Sequence, residues 1–211
     1  MPTIRDIYNV LFDFAPAYMK MDWDNVGLLC GSRETSVTKV LVALDPFEGV
    51  CREAAEWGAE LIVTHHPIIF DPLKSVTEET TVGRSIMTLC RHGISAVNAH
   101  TNLDCAPGGV NDVLAAKLGL EHVEILHPMG TDRQGRPYGL VRMGTVPEQS
   151  LAGFASFVKQ ALSCPGVRFA DAGKSVRKVA VGGGSCGSAI GNVLAHGCDT
   201  LVTADLKYHE F

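Results

Sequence analysis

Two imidazoles stand side by side at His65 and His66 in "THHPIIF", directly after an apolar run and directly before Pro67. On a regular strand successive side chains point to opposite faces. Neighbouring histidines can therefore grip one ion only where the strand has ended or twisted. Pro67 disfavours the α region for His66 and keeps it extended. A natural resolution is two metal ions, each taking one imidazole, with Asp104 close enough to bridge them. Ions in such a site sit ~3.5–4 Å apart and activate a water between them. Imidazole and carboxylate ligands suit zinc, manganese, iron, cobalt or nickel alike.

These side chains do chemistry together only if the elements around them bring them to one place. Strand signals at 39–45, 59–66 and 94–101 alternate with helix signals at 46–58 and 81–93. A loop over 102–109 then leads into a helix over 110–119. The N-terminal stretch reads as an amphipathic helix stopped near Pro16. Alternation of this kind predicts a largely parallel sheet with covering helices. In such sheets functional groups gather at the carboxyl ends of the strands, where the loops open a crevice. That rule selects Asp45 after the first strand and His65 and His66 after the second. After the third it selects His100 and Asp104. Asp45 is equally well read as a cap for the helix that follows it. His92, His122, His127 and His196 fall at helix ends or in loops and read as structural.

Turn residues over 124–139 mark a boundary between two α/β halves, 1–126 and 127–211. The second half shows strand signals at 138–146, 167–173, 178–181 and 200–205, with helices at 150–162 and 188–197. Its "GGGSCG" fits G-x-G-x-x-G at Gly182, Gly184 and Gly187, and Asp205 ends the next strand. That pattern is a dinucleotide-binding fingerprint and raises a nicotinamide-dependent oxidoreductase. It comes late, however, with too little chain left for a six-stranded nucleotide domain, and it leaves the histidines unexplained. The milder reading is that the amides of Gly182, Gly183 and Gly184 face an anion or a loop of the metal site.

A formal charge of −5 gives no electrostatic reason to bind nucleic acid or an anionic membrane. No apolar run approaches the ~18 residues of a membrane span. Charges within the N-terminal apolar pattern break any signal-peptide core. The seven cysteines form no C-x-x-C pair. They read as small buried hydrophobes, kept reduced in a cytoplasm.

Several stretches together resemble one family: "WDNVGLLCG" (23–31), "LIVTHHPIIF" (61–70), "NAHTNLDCAPGGVNDVLA" (98–115), "VAVGGGSC" (179–186) and "LVTADLKYHEF" (201–211). They are similar to the GTP cyclohydrolase 1 type 2 homologues, also called NGG-interacting-factor-like dinuclear metal centre proteins. The resemblance implies a two-domain α/β fold, a ring-shaped homohexamer and a pair of divalent metals in a cavity. By motif, His65, His66 and Asp104 match metal ligands, and His100 and His209 match positions lining the site. The glycines at 182–184 match a glycine turn. The resemblance also implies a further helix and a final Gly-His-x-x-x-Glu segment, whose His and Glu complete the metal shell. The sequence stops at Phe211 without that segment. The expectation is a metal-dependent hydrolase acting on a nucleotide-like substrate. A non-catalytic metal- or partner-binding protein is the alternative, and the nicotinamide oxidoreductase ranks behind it.

Overall fold

Ile4, Ile7, Tyr8 and Leu11 recur at helical spacing and line the inward face of α1 (Ile4–Phe14). The Asp6 carboxylate ties its start by accepting the Thr3 N–H at 2.7 Å. In the computed structural model, which describes all 211 residues, α1 belongs to the first of two units, Met1–Leu103 and Asp104–Phe211.

The first unit holds β1 (Gly27–Cys30), β2 (Val40–Ala43), α2 (Glu48–Trp57), β3 (Leu61–Thr64), α3 (Thr81–His92) and β4 (Ser95–Asn98). The sheet order is β1-β4-β3-β2. β2, β3 and β4 run parallel, and β1 pairs antiparallel with β4. Strand alternation divides the core between the two faces. Leu61, Val63 and Val97 pack with α1, whereas Ile62 and Ala96 pack with Cys51, Ala54, Ile86 and Leu89 of α2 and α3. Gly58 and Gly93 end the two crossover helices in the left-handed conformation that favours glycine. The expected parallel sheet is present, and the antiparallel β1, unmarked in the sequence pattern, extends it.

The short helix α4 (Thr101–Cys105) contains the boundary between the units and takes the first half of the loop expected over 102–109, leaving 106–109 as a turn. Next come α5 (Val110–Lys117), β5 (Glu121–Ile125), a small hairpin of β6 (Gly130–Thr131) and β7 (Pro137–Tyr138), and β8 (Arg142–Gln149). The chain ends with α6 (Leu151–Ala161), β9 (Val176–Ser185), α7 (Ile190–Ala195) and β10 (Thr200–Asp205). The order is β10-β9-β8-β5, and only β9 and β10 are parallel. Whereas the turn-rich stretch over 124–139 marks a boundary at 126, the division lies at Leu103–Asp104. The reason is packing: α5 contributes Ala115 to the core formed by Val146, Phe154, Val158, Val179 and Val181, and β5 pairs with β8.

The strand expected at 167–173 does not form. Val167 and Phe169 flank Arg168 at strand spacing, but no neighbouring strand pairs with them there. Arg142 is 1% exposed in the second unit and donates to the Asp112 carboxylate and to the carbonyls of Gly139, Cys105 and Ala106. All seven cysteines are free. Cys51, Cys105, Cys186 and Cys198 are buried as expected, but Cys90 is exposed. No helix is long and apolar enough to cross a membrane.

Candidate metal centre

The registers of the first sheet explain how residues 76 positions apart meet. Ala43 pairs with Thr64, and Thr64 with Asn98, so three parallel strands end side by side. Asp45, His65, His66 and His100 follow those ends by one or two residues. Gly27, at the start of antiparallel β1, pairs with Asn98 at the same edge. Residues just before β1 are therefore delivered there too, and Asp24 is among them.

The doublet meets the geometric condition set by the pleat, because β3 ends at Thr64. Beyond it the chain bends. The His66 N–H donates to the Leu44 carbonyl at 3.0 Å, and the Thr64 hydroxyl donates to the His66 carbonyl at 2.7 Å. Both rings then lie on one side, 5.1 Å apart between centroids, with His100 at 5.0 Å from His65 and 5.5 Å from His66. One ligating nitrogen from each of the three rings lies within 4.8 Å of the other two.

Each imidazole is anchored through Nδ1. His65 Nδ1 is 3.0 Å from the Ala99 carbonyl, His66 Nδ1 is 2.6 Å from Asp45 Oδ1, and His100 Nδ1 is 2.8 Å from Asp24 Oδ1. An oxygen acceptor at Nδ1 fixes the proton there, so Nε2 carries the lone pair. Asp45 acts as an anchor, and the N-cap of α2 is Phe47. Asp24 is buried, and its other oxygen accepts the Thr101 N–H at 3.0 Å and the Thr101 hydroxyl. Burial works to raise the Asp24 carboxyl, but the bonds from His100 and Thr101 outweigh it and bring it down to about 2. Burial, reinforced by the charges His100 and His66 can carry, pushes His65 down to about 4. His65 is therefore neutral at pH 7, the state in which an imidazole ligates. Three neutral-capable donors with locked orientation fit a divalent ion of the imidazole-preferring kind.

The other expected site residues belong to the second unit. Asp104 is buried there, and its charge adds to burial in raising the Cys186 thiol. His209 is exposed in a final 3-10 turn, Tyr208–Glu210. Gly182, Gly183 and Gly184 continue β9 as strand residues. The Gly183 N–H is already donated to Asn111 Oδ1 at 2.7 Å. A Cβ on Gly182 would lie 2.5 Å from Cys186 Sγ, and one on Gly187 2.3 Å from the Glu210 carboxylate. Close packing thus accounts for two glycines of the dinucleotide fingerprint. The sequence pattern does not single out Asp24, which anchors His100. Its only sequence signal, an acidic residue before a short apolar run, becomes informative once β1 is known to be antiparallel.

Comparisons with known proteins identify relatives of the whole chain. The family model described as Duf34/NIF3 (NGG1p interacting factor 3) matches residues 2–211. A GTP cyclohydrolase 1 type 2 homolog of Clostridium perfringens is 38% identical over 98% of this chain and 78% of its own. A Bacillus cereus protein related to NIF3 has a solved structure that superposes with a TM-score of 0.91 at 27% identity, covering 99% of this chain and 84% of that one. A Staphylococcus aureus hypothetical protein superposes at 0.89 with 31% identity, over 100% and 81%.

Proposed function

Because the chain belongs to the Duf34/NIF3 family, we propose that it holds a dinuclear divalent-metal centre and acts as a metal-dependent hydrolase on a nucleotide-like substrate. The observation that carries this reading is the convergence of His65, His66 and His100 with every Nδ1 already bound to an oxygen. Donors of one ion lie at most ~4.2 Å apart, twice a Zn–N distance of ~2.1 Å. The three donors lie within 4.8 Å of one another, a bound that admits one ion and also ligands shared between two neighbouring ions. When bound, the ions supply Lewis acidity and water activation. The chain's own part is to orient the rings and keep His65 uncharged. Asp104 enters on the resemblance as the carboxylate that offsets repulsion between two dications. The substrate class rests on the name of the Clostridium perfringens relative.

The decisive experiment is metal analysis of the purified protein together with turnover of GTP and simple phosphoesters under added manganese or zinc. Two ions per chain and metal-dependent turnover are expected. Asp104→Asn should reduce the stoichiometry towards one or none, and two ions held with unchanged affinity would remove Asp104 from the site. A second reading, a non-catalytic metal- or partner-binding protein, draws support from one observation. The carboxylates bonded to these rings, Asp24 and Asp45, serve as anchors, which leaves neither of them a ready general base. Metal binding without turnover would favour it. The resemblance further supports assembly into six copies, checked by light scattering, and the free cysteines suit a reducing, cytoplasmic setting.

A further inference from the structure

Two large aromatic rings stand at the edge of the histidine cluster with half of their surface in water. Trp23 is 59% exposed and Phe70 is 50% exposed. Their centroids are 5.8 Å apart at an interplanar angle of 54°, and Trp23 meets His100 edge-on at 6.3 Å. A structural aromatic pair usually buries most of its area, since that is where its stabilisation arises. These two remain open.

Their surroundings, by contrast, are tied down. Asp24, next to Trp23, is fixed by His100 and Thr101. The Asn25 side chain donates to the Ile69 carbonyl at 2.7 Å, beside Phe70, and Asn98 donates to the Asn25 carbonyl at 3.0 Å. One residue, Asn25, thus links the segment carrying Trp23 to the segment carrying Phe70 and to the end of β4. Exposed rings on a braced backbone lose little freedom when a ligand arrives, which favours binding.

We propose that Trp23 and Phe70 form an aromatic seat for a nucleobase, holding the planar ring of the substrate beside the histidine cluster. A flat heteroaromatic ring can stack on the indole face while presenting its edge to the tilted phenyl, the two arrangements aromatic quadrupoles favour. Every base has a π-face, so the seat recognises planarity and leaves the choice among bases to other groups. The proposal rests on the nucleotide-like reading above and adds the residues that contact the base.

GMP and ribose 5-phosphate separate the contributions, because the second carries the sugar and phosphate without the ring. In a Trp57→Phe background Trp23 is the sole indole, and GMP should quench its fluorescence. Calorimetry on the metal-loaded protein should show Trp23→Ala and Phe70→Ala weakening GMP by about 5- to 150-fold, the range for losing one stacked base. Ribose 5-phosphate affinity and the melting temperature should stay unchanged, and Trp23→Phe should retain most of the GMP affinity. GMP binding that survives both alanine variants overturns the seat and leaves the nucleotide reading standing. Equal losses for both ligands, with a lowered melting temperature, mark a structural pair and also overturn it. Intact protein that shows no preference for GMP over ribose 5-phosphate, or binds neither, overturns the seat and the nucleotide reading together. Metal content measured in parallel tests the metal centre independently of either.

Discussion

The two units each carry a sequence signature at a strand end, and the fold treats them in opposite ways. In the first, parallel strands ending in register turn three imidazoles towards one another while using only one nitrogen of each as an anchor. In the second, the glycine signature lies on a strand whose Gly183 amide is donated to Asn111 and whose Gly182 makes room for Cys186. A motif becomes a site when the fold leaves its chemical groups with capacity to spare. The same groups, closed on their own neighbours, are architecture.

The largest expected effect tests that contrast at the histidines. His65→Ala and His66→Ala should each weaken metal binding on the order of 100-fold or more, beyond the ~10–100-fold cost of losing a group that merely orients a ligand. Folding should persist, since both residues lie beyond the strand end. Metal analysis after dialysis, with far-UV circular dichroism, checks both parts. NAD and NADP titrations are the counterpart for the second unit. No saturable binding is expected, and a saturable signal would break the comparison.

Next in size is the buried charge of the second unit. Asp112→Ala strands Arg142 and should destabilise by about 3 kcal/mol, at the low end for a broken buried pair because the Asp112 side chain is 33% exposed. Urea denaturation reads this directly. The comparison sharpens further within the first unit. Asp24→Asn should cost about 10–100-fold in metal affinity, and Asp45→Asn should fall at the lower end of that range. Asp24 is fully buried against His100, whereas His66 and Asp45 are partly solvated. Equal losses would show that burial of the anchor is irrelevant.

The smallest effect is a pH dependence away from both features. Glu60 accepts bonds from the Lys39 N–H, the Thr38 N–H and the Thr38 hydroxyl, which bring its carboxyl from 4.5 down to about 2. The folded group titrates lower than the unfolded one, so the unfolded chain binds more protons between those values. Its contribution is full above pH 4.5 and is lost as pH falls towards about 2. Glu60→Gln should flatten that part of the acid denaturation curve.

Much of the first unit was legible because its central strands are apolar runs separated by well-signalled helices. The strand ends that follow from those runs bring His65, His66, His100 and Asp45 to one place. β1 was not legible: four residues with no alternation give no period, and only pairing with β4 reveals its direction. Asp24 was hidden with it. β5 escaped for a related reason. It is an edge strand with four exposed residues, so no apolar face marks it. At 167–173 the error runs the other way, since period-two alternation of Val167 and Phe169 signals a strand only where a neighbouring strand exists to complete it.

The Nδ1 anchors of the three histidines also separate loading from folding. In a zinc finger the ion assembles its own ligands, so a chelator unfolds the domain. Here the polypeptide supplies the oxygens that hold each ring before any ion arrives. Chelation should therefore be reversible and leave the melting transition cooperative, and one ion should exchange for another without rebuilding the cage. Which metal fills such a site would then be governed by supply and by the intrinsic order of affinities for imidazole nitrogen, so preparations grown on different trace metals should carry different ions on the same scaffold.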